Sequence, residues 1–277
     1  MLNEIAANSV KSYFIILIFS LLIPGKAIAK TTEVTSFKLF RDVLGKATPE
    51  TLVIFDIDHV LMMPADEYSL SRNKYRKNLW QKLKTKLPKE ELDLLYSIIT
   101  INAKWRLVDN KVINILADLK KNNIPTIALS SFSTGKFGII EKREEVRMRD
   151  LGSLGISFVD LSPFKENIEI KELAGKDGIP MLKDGVILTA EIDKALILKH
   201  ILFHEKYQQQ YQPKTIIFID DQLNNLKAVE KLCAELKIDF HGFHYIAVSL
   251  MPPSPFNKAA EDLRFKILEE ERRWVVD

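Results

Sequence analysis

The sequence predicts an α/β fold with a Rossmann-like parallel sheet in three layers. Apolar runs near residues 51–57, 124–131 and 215–221 have the length of buried strands, and each ends in acidic or hydroxyl side chains. Segments with helical spacing of apolar residues lie between these runs. Strands that alternate with helices form parallel sheets with right-handed crossovers, and this alternation is the basis of the prediction.

The composition is that of an ordinary globular protein. The chain has 277 residues, of which 47% are hydrophobic and 28% charged, a size that suits one domain with an insertion or two small domains. A net charge of +3 gives no reason to expect a nucleic-acid partner. The single cysteine, Cys233, excludes an intrachain disulfide and disfavours a cysteine-based zinc site. We expect Cys233 in the core, on a helix.

The N-terminus has the layout of a secretory signal peptide over residues 1–29. Lys11 precedes an apolar run at residues 13–23, and residues 27–29 form a small-x-small cleavage site. The run is too short to span a bilayer comfortably, so we expect no stable membrane span after cleavage. A buried N-terminal helix or an uncleaved anchor is the alternative. The prediction is a periplasmic or secreted protein whose mature chain begins near Lys30.

Residues 62–108 are predicted to form a helical cap inserted after the first strand, because they contain two amphipathic helices. The core of the fold would then comprise residues 30–61 and 109–277. Proline and glycine punctuate residues 161–190, which predicts loops, a hairpin and a possible second small insertion.

Apolar spacing also places the remaining elements. We expect helices at about 36–46, 112–119, 133–151, 191–208, 223–236 and 257–275, and short strands at 156–159, 186–189 and 243–249. Between Arg72 and Lys89 lie eight basic residues and no acidic one. This run is either a solvated helix face or a positive rim that attracts an anionic substrate.

Carboxylates follow two of the apolar strands. Asp56 and Asp58 follow the first strand, and Asp220 and Asp221 follow the strand at 215–221. Buried carboxylates are costly unless they are paired, hydrogen-bonded or bound to metal. Ligands bind at the carboxyl ends of strands in open α/β sheets. The pattern therefore predicts a magnesium-dependent site.

The order of these groups along the chain resembles the four motifs of the haloacid dehalogenase-like (HAD) superfamily. Residues 56–60 (Asp-Ile-Asp-His-Val) resemble the first motif and Ser130 the second. Lys194 resembles the third motif, and residues 219–221 resemble the fourth. The match covers about residues 51–225. Only the first motif is specific by itself, but four motifs in order at strand ends and a helix start are a strong signal.

Two residues of the first motif depart from the common pattern. Val60 stands where many members carry threonine, and His59 is less usual. His59 would either tune the carboxylates near neutral pH or face solvent. Residues 104–109, together with the predicted export signal, also resemble a family of uncharacterised, exported bacterial HAD-like proteins.

The resemblance implies a catalytic role for each motif. Asp56 would be the nucleophile that forms an aspartyl-phosphate. Asp58 would protonate the leaving oxygen and then deprotonate the attacking water. Ser130 and Lys194 would hold the phosphoryl oxygens.

The resemblance also implies that Mg²⁺ is the cofactor, since this ion prefers hard oxygen ligands and neutralises anionic reactants. The implied metal site comprises Asp56, Asp58, Asp220 and Asp221. Asp58 would contribute its backbone carbonyl, and Asp221 would bind directly or through water. Asn224 or Asn225 would orient this set.

Several assignments have alternatives. Ser131 competes with Ser130, and Lys199 competes with Lys194. Arg147 would be either a surface salt bridge or a clamp for a substrate anion. His200 and His204, four residues apart on one predicted helix, permit metal binding but lack an accompanying carboxylate motif.

The predicted function is Mg²⁺-dependent hydrolysis of a small phosphate monoester. A dehalogenase would lack the second aspartate, so Asp58 argues against that activity. A phosphotransferase of the same fold remains an alternative. A secreted binding or effector protein that keeps the fold without turnover is another.

Overall fold

The centre of the protein is an eight-stranded, mainly parallel β-sheet. The computed structural model describes residues 29–66, 74–205, 211–252 and 256–275. The strands are β1 (Ala29–Val34), β2 (Thr51–Phe55), β3 (Met62–Pro64), β4 (Trp105–Leu107), β5 (Thr126–Ser130), β6 (Ile168–Glu169), β7 (Met181–Lys183), β8 (Val186–Leu188), β9 (Thr215–Asp220) and β10 (Asp239–Tyr245). Their order in the large sheet is β1-β10-β9-β2-β5-β8-β7-β6. The first six of these are parallel, and β7 and β6 add an antiparallel edge.

Helices pack on both faces of this sheet. They are α1 (Arg41–Leu44), α2 (Lys74–Lys86), α3 (Lys89–Asn102), α4 (Lys111–Lys121), α5 (Arg143–Ser153), α6 (Lys194–Leu202), α7 (Leu223–Leu236), α8 (Ala247–Leu250) and α9 (Lys258–Glu271), with 3-10 turns at Phe37–Phe40 and Lys171–Leu173. None of the helices in the described ranges is long and apolar enough to cross a membrane.

Alternation along β2 explains the layers. Val53 and Phe55 point into a core shared with α4 and α5. Leu52 and Ile54 point to the other face, into a core shared with α6 and α7. All five residues of β2 are buried, as expected for a central parallel strand covered on both sides. The predicted α/β class with a large parallel sheet is therefore confirmed.

The inserted helices have a hydrophobic core of their own. Trp80 of α2 stacks on Tyr96 of α3 with ring centroids 3.6 Å apart. Phe265 of α9 meets Trp80 edge-on at 5.4 Å. α9 lies in the segment predicted to belong to the core domain, yet its apolar face packs with α2 and α3. The ion pair Lys86–Glu269 joins α2 to α9, and the ion pair Arg272–Glu91 joins the residue that follows α9 to α3.

Some predicted elements differ from the structure. Residues 156–159 are not a strand, because the chain turns at once, with the N–H groups of Leu161 and Ser162 donating to the Phe158 carbonyl. The last strand, predicted at 243–249, is β10 at Asp239–Tyr245, and α8 begins at Ala247 within the predicted range. The helix predicted at 133–151 begins only at Arg143, and residues 133–142 form a loop before it. The segment at 161–190 supplies β6, β7 and β8, which extend the main sheet.

The signal-peptide prediction falls almost wholly outside the described residues. Residues 1–28 are not described, and Ala29, the last residue of the predicted segment, begins β1. This strand pairs with β10 at the sheet edge and was not predicted. On α2, the basic side chains of Lys74, Lys77 and Lys82 are exposed.

Cys233 lies in the core on α7, as predicted. Burial, assisted by Glu230, raises the pKa of its thiol to about 12. Because the thiolate is the reactive form, the native protein should react with a thiol reagent at least about 10³-fold more slowly than the unfolded chain. A colorimetric thiol assay with and without guanidinium chloride measures this ratio, and rapid stoichiometric labelling of the native protein would contradict it.

Candidate active site

Asp56 is the first residue after β2 and lies at the carboxyl end of the central strand. Its backbone N–H donates to the carbonyl of Ile219 on β9 at 2.8 Å, which continues the sheet ladder one residue further. Its Oδ1 atom accepts a bond from the N–H of Ile57 at 2.7 Å and lies 2.7 Å from Nζ of Lys194. Both contacts fall on Oδ1. The carboxylate is thus buried and held by fixed donors on one oxygen.

Lys194 is the first residue of α6 and is almost fully buried. Asp193 caps this helix by accepting a bond from the N–H of Leu196 at 2.9 Å, which sets where the helix begins. The Nζ atom lies 2.7 Å from Oδ1 of Asp56 and 2.8 Å from Oδ2 of Asp220. Lys199, one turn on, is exposed. The structure therefore brings Lys194, and not Lys199, between the two carboxylates.

Asp220 ends β9 and is fully buried. Its Oδ1 accepts bonds from the N–H of Gln222 at 2.7 Å and from Nδ2 of Asn225 at 3.0 Å. Of the two asparagines considered in the sequence, Asn225 is the one that contacts this carboxylate. Asp221 accepts a bond from Nε2 of Gln222 at 2.8 Å. Gln222 therefore orients both aspartates and was missed by the sequence analysis.

Burial dominates the protonation of this cluster. It raises the pKa of Asp56 to about 8, with Lys194 opposing and the carboxylates of Asp220 and Asp58 adding to the rise. The pKa of Asp220 is raised for the same reason, again against Lys194. Burial disfavours the ammonium of Lys194, but the two neighbouring carboxylates outweigh it and raise its pKa. The lysine therefore stays charged and keeps the pKa values of both carboxyl groups lower than burial alone would make them.

Three carboxylates converge so that a cation could bind. Asp56, Asp220 and Asp221 each offer one oxygen, and these oxygens all lie within 4.8 Å of one another. Hard carboxylate oxygens are the ligands that Mg²⁺ prefers. The side chain of Asp58 is not part of this group, because it contacts Arg147 instead. The donor set present fits a divalent cation.

Arg147 lies in the interior and forms an ion pair there with Asp58. The prediction that it forms a salt bridge on the surface is therefore wrong. The residue is 2% exposed, and its two terminal nitrogens each donate to one oxygen of Asp58 at 3.0 Å. The guanidinium carbon lies 4.1 Å from the ring centroid of Phe132 and 5.3 Å from that of Trp105. The two hydrogen bonds from Arg147 therefore connect Asp58 to α5.

His59 and Val60 complete the turn after β2. His59 adopts the left-handed conformation with φ of 64°, which is uncommon for a residue with a side chain. Its Nδ1 lies 3.3 Å from Oδ2 of Asp221. The hydrogen bond to Asp221 raises the pKa of His59, with burial opposing. Val60 is fully buried in the core.

Ser130 ends β5, the strand beside β2, and is buried. Its Oγ accepts a bond from the N–H of Phe132 at 3.3 Å, whereas Ser131 is half-buried. The loop between β8 and α6, which bonds to Ser131 and Phe132, is strained, since Ala190 and Glu191 have φ of 51° and 64°. Strained backbone of this kind often marks functional sites. No glycine in the sequence signals it.

The two histidines on α6 and just beyond it lie apart from this cluster. His200 contacts Glu172 with Nδ1 and Oε1 3.8 Å apart. Within the described ranges, Asp56, Asp220 and Asp221 form the one group of three or more potential metal ligands. This group contains no histidine.

Comparisons with known proteins cover almost the whole chain. A family model described as "Protein of unknown function (DUF2608)" matches residues 33–275. The chain belongs to this family. A similar protein from Rickettsia bellii (strain RML369-C), described as an uncharacterized protein, is 24% identical over 252 residues, which is 85% of this chain and 83% of the relative. No solved structure matches this DUF2608 chain significantly.

Proposed function

We propose that this DUF2608 protein is a Mg²⁺-dependent phosphatase of the HAD type that hydrolyses a phosphate monoester. One observation carries the proposal: the oxygens of Asp56, Asp220 and Asp221 converge within 4.8 Å, with Lys194 bridging Asp56 and Asp220. The order and spacing of these residues along the chain resemble the HAD motifs, and their convergence at the carboxyl end of a parallel sheet supports the same interpretation.

The reaction divides into two transfers. In the first, Asp58 starts as the neutral acid with one oxygen released from Arg147. Oδ2 of Asp56 attacks phosphorus, and the bond from phosphorus to the leaving oxygen breaks as Asp58 donates its proton to that oxygen. In the second, Asp58 takes a proton from water, the water oxygen attacks phosphorus, and the bond to Asp56 breaks. The products are an alcohol and inorganic phosphate.

Ser130 and Lys194 would act on the charge of the phosphoryl group. Both lie buried at the site end of their elements, where donors that need no reorganisation stabilise developing charge best. Mg²⁺ held by Asp56, Asp220, Asp221 and the backbone carbonyl of Asp58 would neutralise the repulsion between the Asp56 carboxylate and the anionic substrate. Asn225 and Gln222 would keep the carboxylates in place.

We further propose that residues 62–108 are the cap over this site. The antiparallel pair β3–β4 links the helices α2 and α3 to the turn that carries Asp58. The packing of α9 on α2 and α3 adds the C-terminal helix to the cap. Placement of the enzyme outside the cytoplasm rests on the predicted signal peptide alone.

A screen of the purified protein against phosphomonoesters tests the function. We expect release of inorganic phosphate that requires Mg²⁺, stops with a chelator and returns when the metal is restored. Added alcohols or sugars in the assay would reveal transfer to an acceptor other than water. Metal binding without turnover across the panel would contradict the proposal and favour a binding protein.

Metal binding can be tested without activity. At a Mg²⁺ concentration about 100 times Kd, binding should stabilise the wild type by about 2.7 kcal/mol and raise Tm by roughly 5–10 °C. Asp220→Asn should lose most of this Mg²⁺-induced shift, because one of the three converging carboxylates is gone. Asp118→Asn, an exposed aspartate on α4, is the matched control and should keep the full shift. Equal shifts in all three proteins would argue against this site.

A further inference from the structure

Arg147 is buried in the middle of α5, where an arginine is rarely found without a specific partner. Burying a guanidinium costs free energy that an ion pair alone often does not recover. Its partner Asp58 is 40% exposed at its side chain, so the pair lies at the edge of the open site. The burial is one-sided: the arginine is enclosed and the aspartate faces outward.

The surroundings of Arg147 leave its guanidinium little freedom. The ring of Phe132 lies on it at 4.1 Å, and the ring of Trp105 lies at 5.3 Å. Rings and guanidinium planes at these distances attract each other. Phe132 follows β5, and Trp105 begins β4 after the cap helices. With Asp58 included, three separate parts of the chain outside α5 therefore contact this one planar group.

This fixed plane determines the orientation of Asp58. Two parallel bonds of 3.0 Å from one guanidinium define both the position and the rotation of the carboxylate plane. The backbone of the turn is also held, since the N–H of His59 donates to the carbonyl of Met62 at 2.8 Å. Without the arginine, a half-exposed aspartate would sample several rotamers.

We propose that Arg147 is the positioning residue for Asp58, an inference that rests on the phosphatase function proposed above. Arg147 acts through Asp58: its two N–H groups hold both carboxylate oxygens, and one of these two bonds must give way when Asp58 carries the proton. Proton donation from Asp58 matters most when the leaving oxygen is strongly basic and little when it leaves readily as an anion. Loss of Arg147 should therefore lower kcat for alkyl phosphates far more than kcat for 2,4-dinitrophenyl phosphate.

The experiment compares kcat for these two substrates in Arg147→Met and Arg147→Lys. For the alkyl phosphate we expect kcat to fall by about 10²-fold in Arg147→Met, the lower end of what a general acid contributes. For 2,4-dinitrophenyl phosphate the fall should be under about 10-fold, with KM little changed for both substrates. Arg147→Lys keeps the charge but not the two parallel bonds, so it should show the same selectivity to a smaller degree.

Two further proteins separate positioning from a structural effect. Arg149→Met, on the same helix but half exposed, is the matched control and should keep the wild-type ratio of the two rates. In an Asp58→Asn background, Arg147→Met should have little additional effect on either substrate, because the residue it orients has lost its proton chemistry. Thermal denaturation of each variant confirms that folded protein is compared.

Two results overturn the inference in distinguishable ways. If Asp56-dependent hydrolysis is present but Arg147→Met lowers both rates equally, or is equally harmful in the Asp58→Asn background, Arg147 does not position Asp58 and the phosphatase function stands. If the wild type hydrolyses no phosphoester, the proposed function fails and the positioning role fails with it.

Discussion

Asp56→Asn should lower phosphatase activity by at least about 10⁴-fold, the scale of losses seen when a nucleophile is removed. The amide cannot form the acyl-phosphate, and the oxygen that would attack phosphorus is no longer an anion. The side chain is almost the same size, so the packing at the end of β2 should change little. Steady-state kinetics with an aryl phosphate measures the loss, with Asp118→Asn as the unaffected control.

The covalent intermediate gives a second readout for the same residue. Protein quenched in acid during turnover should carry phosphate on the peptide that contains Asp56, and the Asp56→Asn protein should carry none. Full activity in this variant, or phosphate on a different peptide, would show that the nucleophile is assigned wrongly. Full activity would also count against Asp56 as a Mg²⁺ ligand, whereas phosphate on a different peptide would leave the metal site to be decided by the Mg²⁺-binding measurement.

Much of the site could be predicted because local sequence determines where strands end and helices begin. Asp56, Ser130 and Asp220 each follow an apolar run, and parallel pairing then brings such ends to one edge of the sheet. Lys194 is favoured over Lys199 because it lies nearer the start of the predicted helix, and in the structure Asp193 caps this helix directly before Lys194. The convergence of these side chains followed from topology rather than from any single motif.

The environment of Arg147 could not be predicted in the same way. Its partner Asp58 lies 89 positions away in the chain, and α5 is rich in charge, which is typical of a surface helix. One signal was available: Arg147 lies four residues before the buried Leu151 and therefore shares its face. Using that signal requires knowing which face of α5 meets the sheet.

The packing partner of the C-terminal helix α9 could not be predicted from the sequence either. Nothing local in residues 258–271 says whether their apolar face meets the main sheet or the inserted helices. The aromatic contact of Phe265 with Trp80 joins segments 185 positions apart (265 − 80). Likewise β1 carried no strong strand pattern and lies next to the predicted cleavage site, so its pairing with β10 depends on tertiary structure.

Lys194→Met should destabilise the metal-free protein by about 3–5 kcal/mol, as expected when one partner of a buried ion pair is removed. The substitution leaves the carboxylates of Asp56 and Asp220 without the ammonium that contacts both. Phosphatase activity should fall by about 10²–10³-fold, the range seen when a fixed donor to developing charge is lost. Lys199→Met, on the exposed face of the same helix, should change stability by less than about 0.5 kcal/mol.

The destabilisation in Lys194→Met should depend on metal and pH in a defined direction. The pKa of Asp56 is about 8 with the lysine present and will be higher without it, since Lys194 lowers it. A carboxyl whose pKa is raised by folding favours the native state at low pH, and this contribution is lost as pH rises through the folded value. Denaturation in chelator should therefore show a nearly constant deficit from about pH 6 to about pH 7. The deficit should grow as pH rises through about 8 to about 9, where Asp56 ionises in the wild type but stays protonated in the variant.

Mg²⁺ should act against this deficit. A divalent cation supplies the positive charge that the variant lacks, so it should raise Tm more in Lys194→Met than in the wild type. If Lys194 were merely a buried structural lysine with no relation to a metal site, the variant would be destabilised but Mg²⁺ would not restore it. If Mg²⁺ raises Tm no more in Lys194→Met than in the wild type, that result would contradict the idea that Lys194 and Mg²⁺ neutralise the same carboxylates.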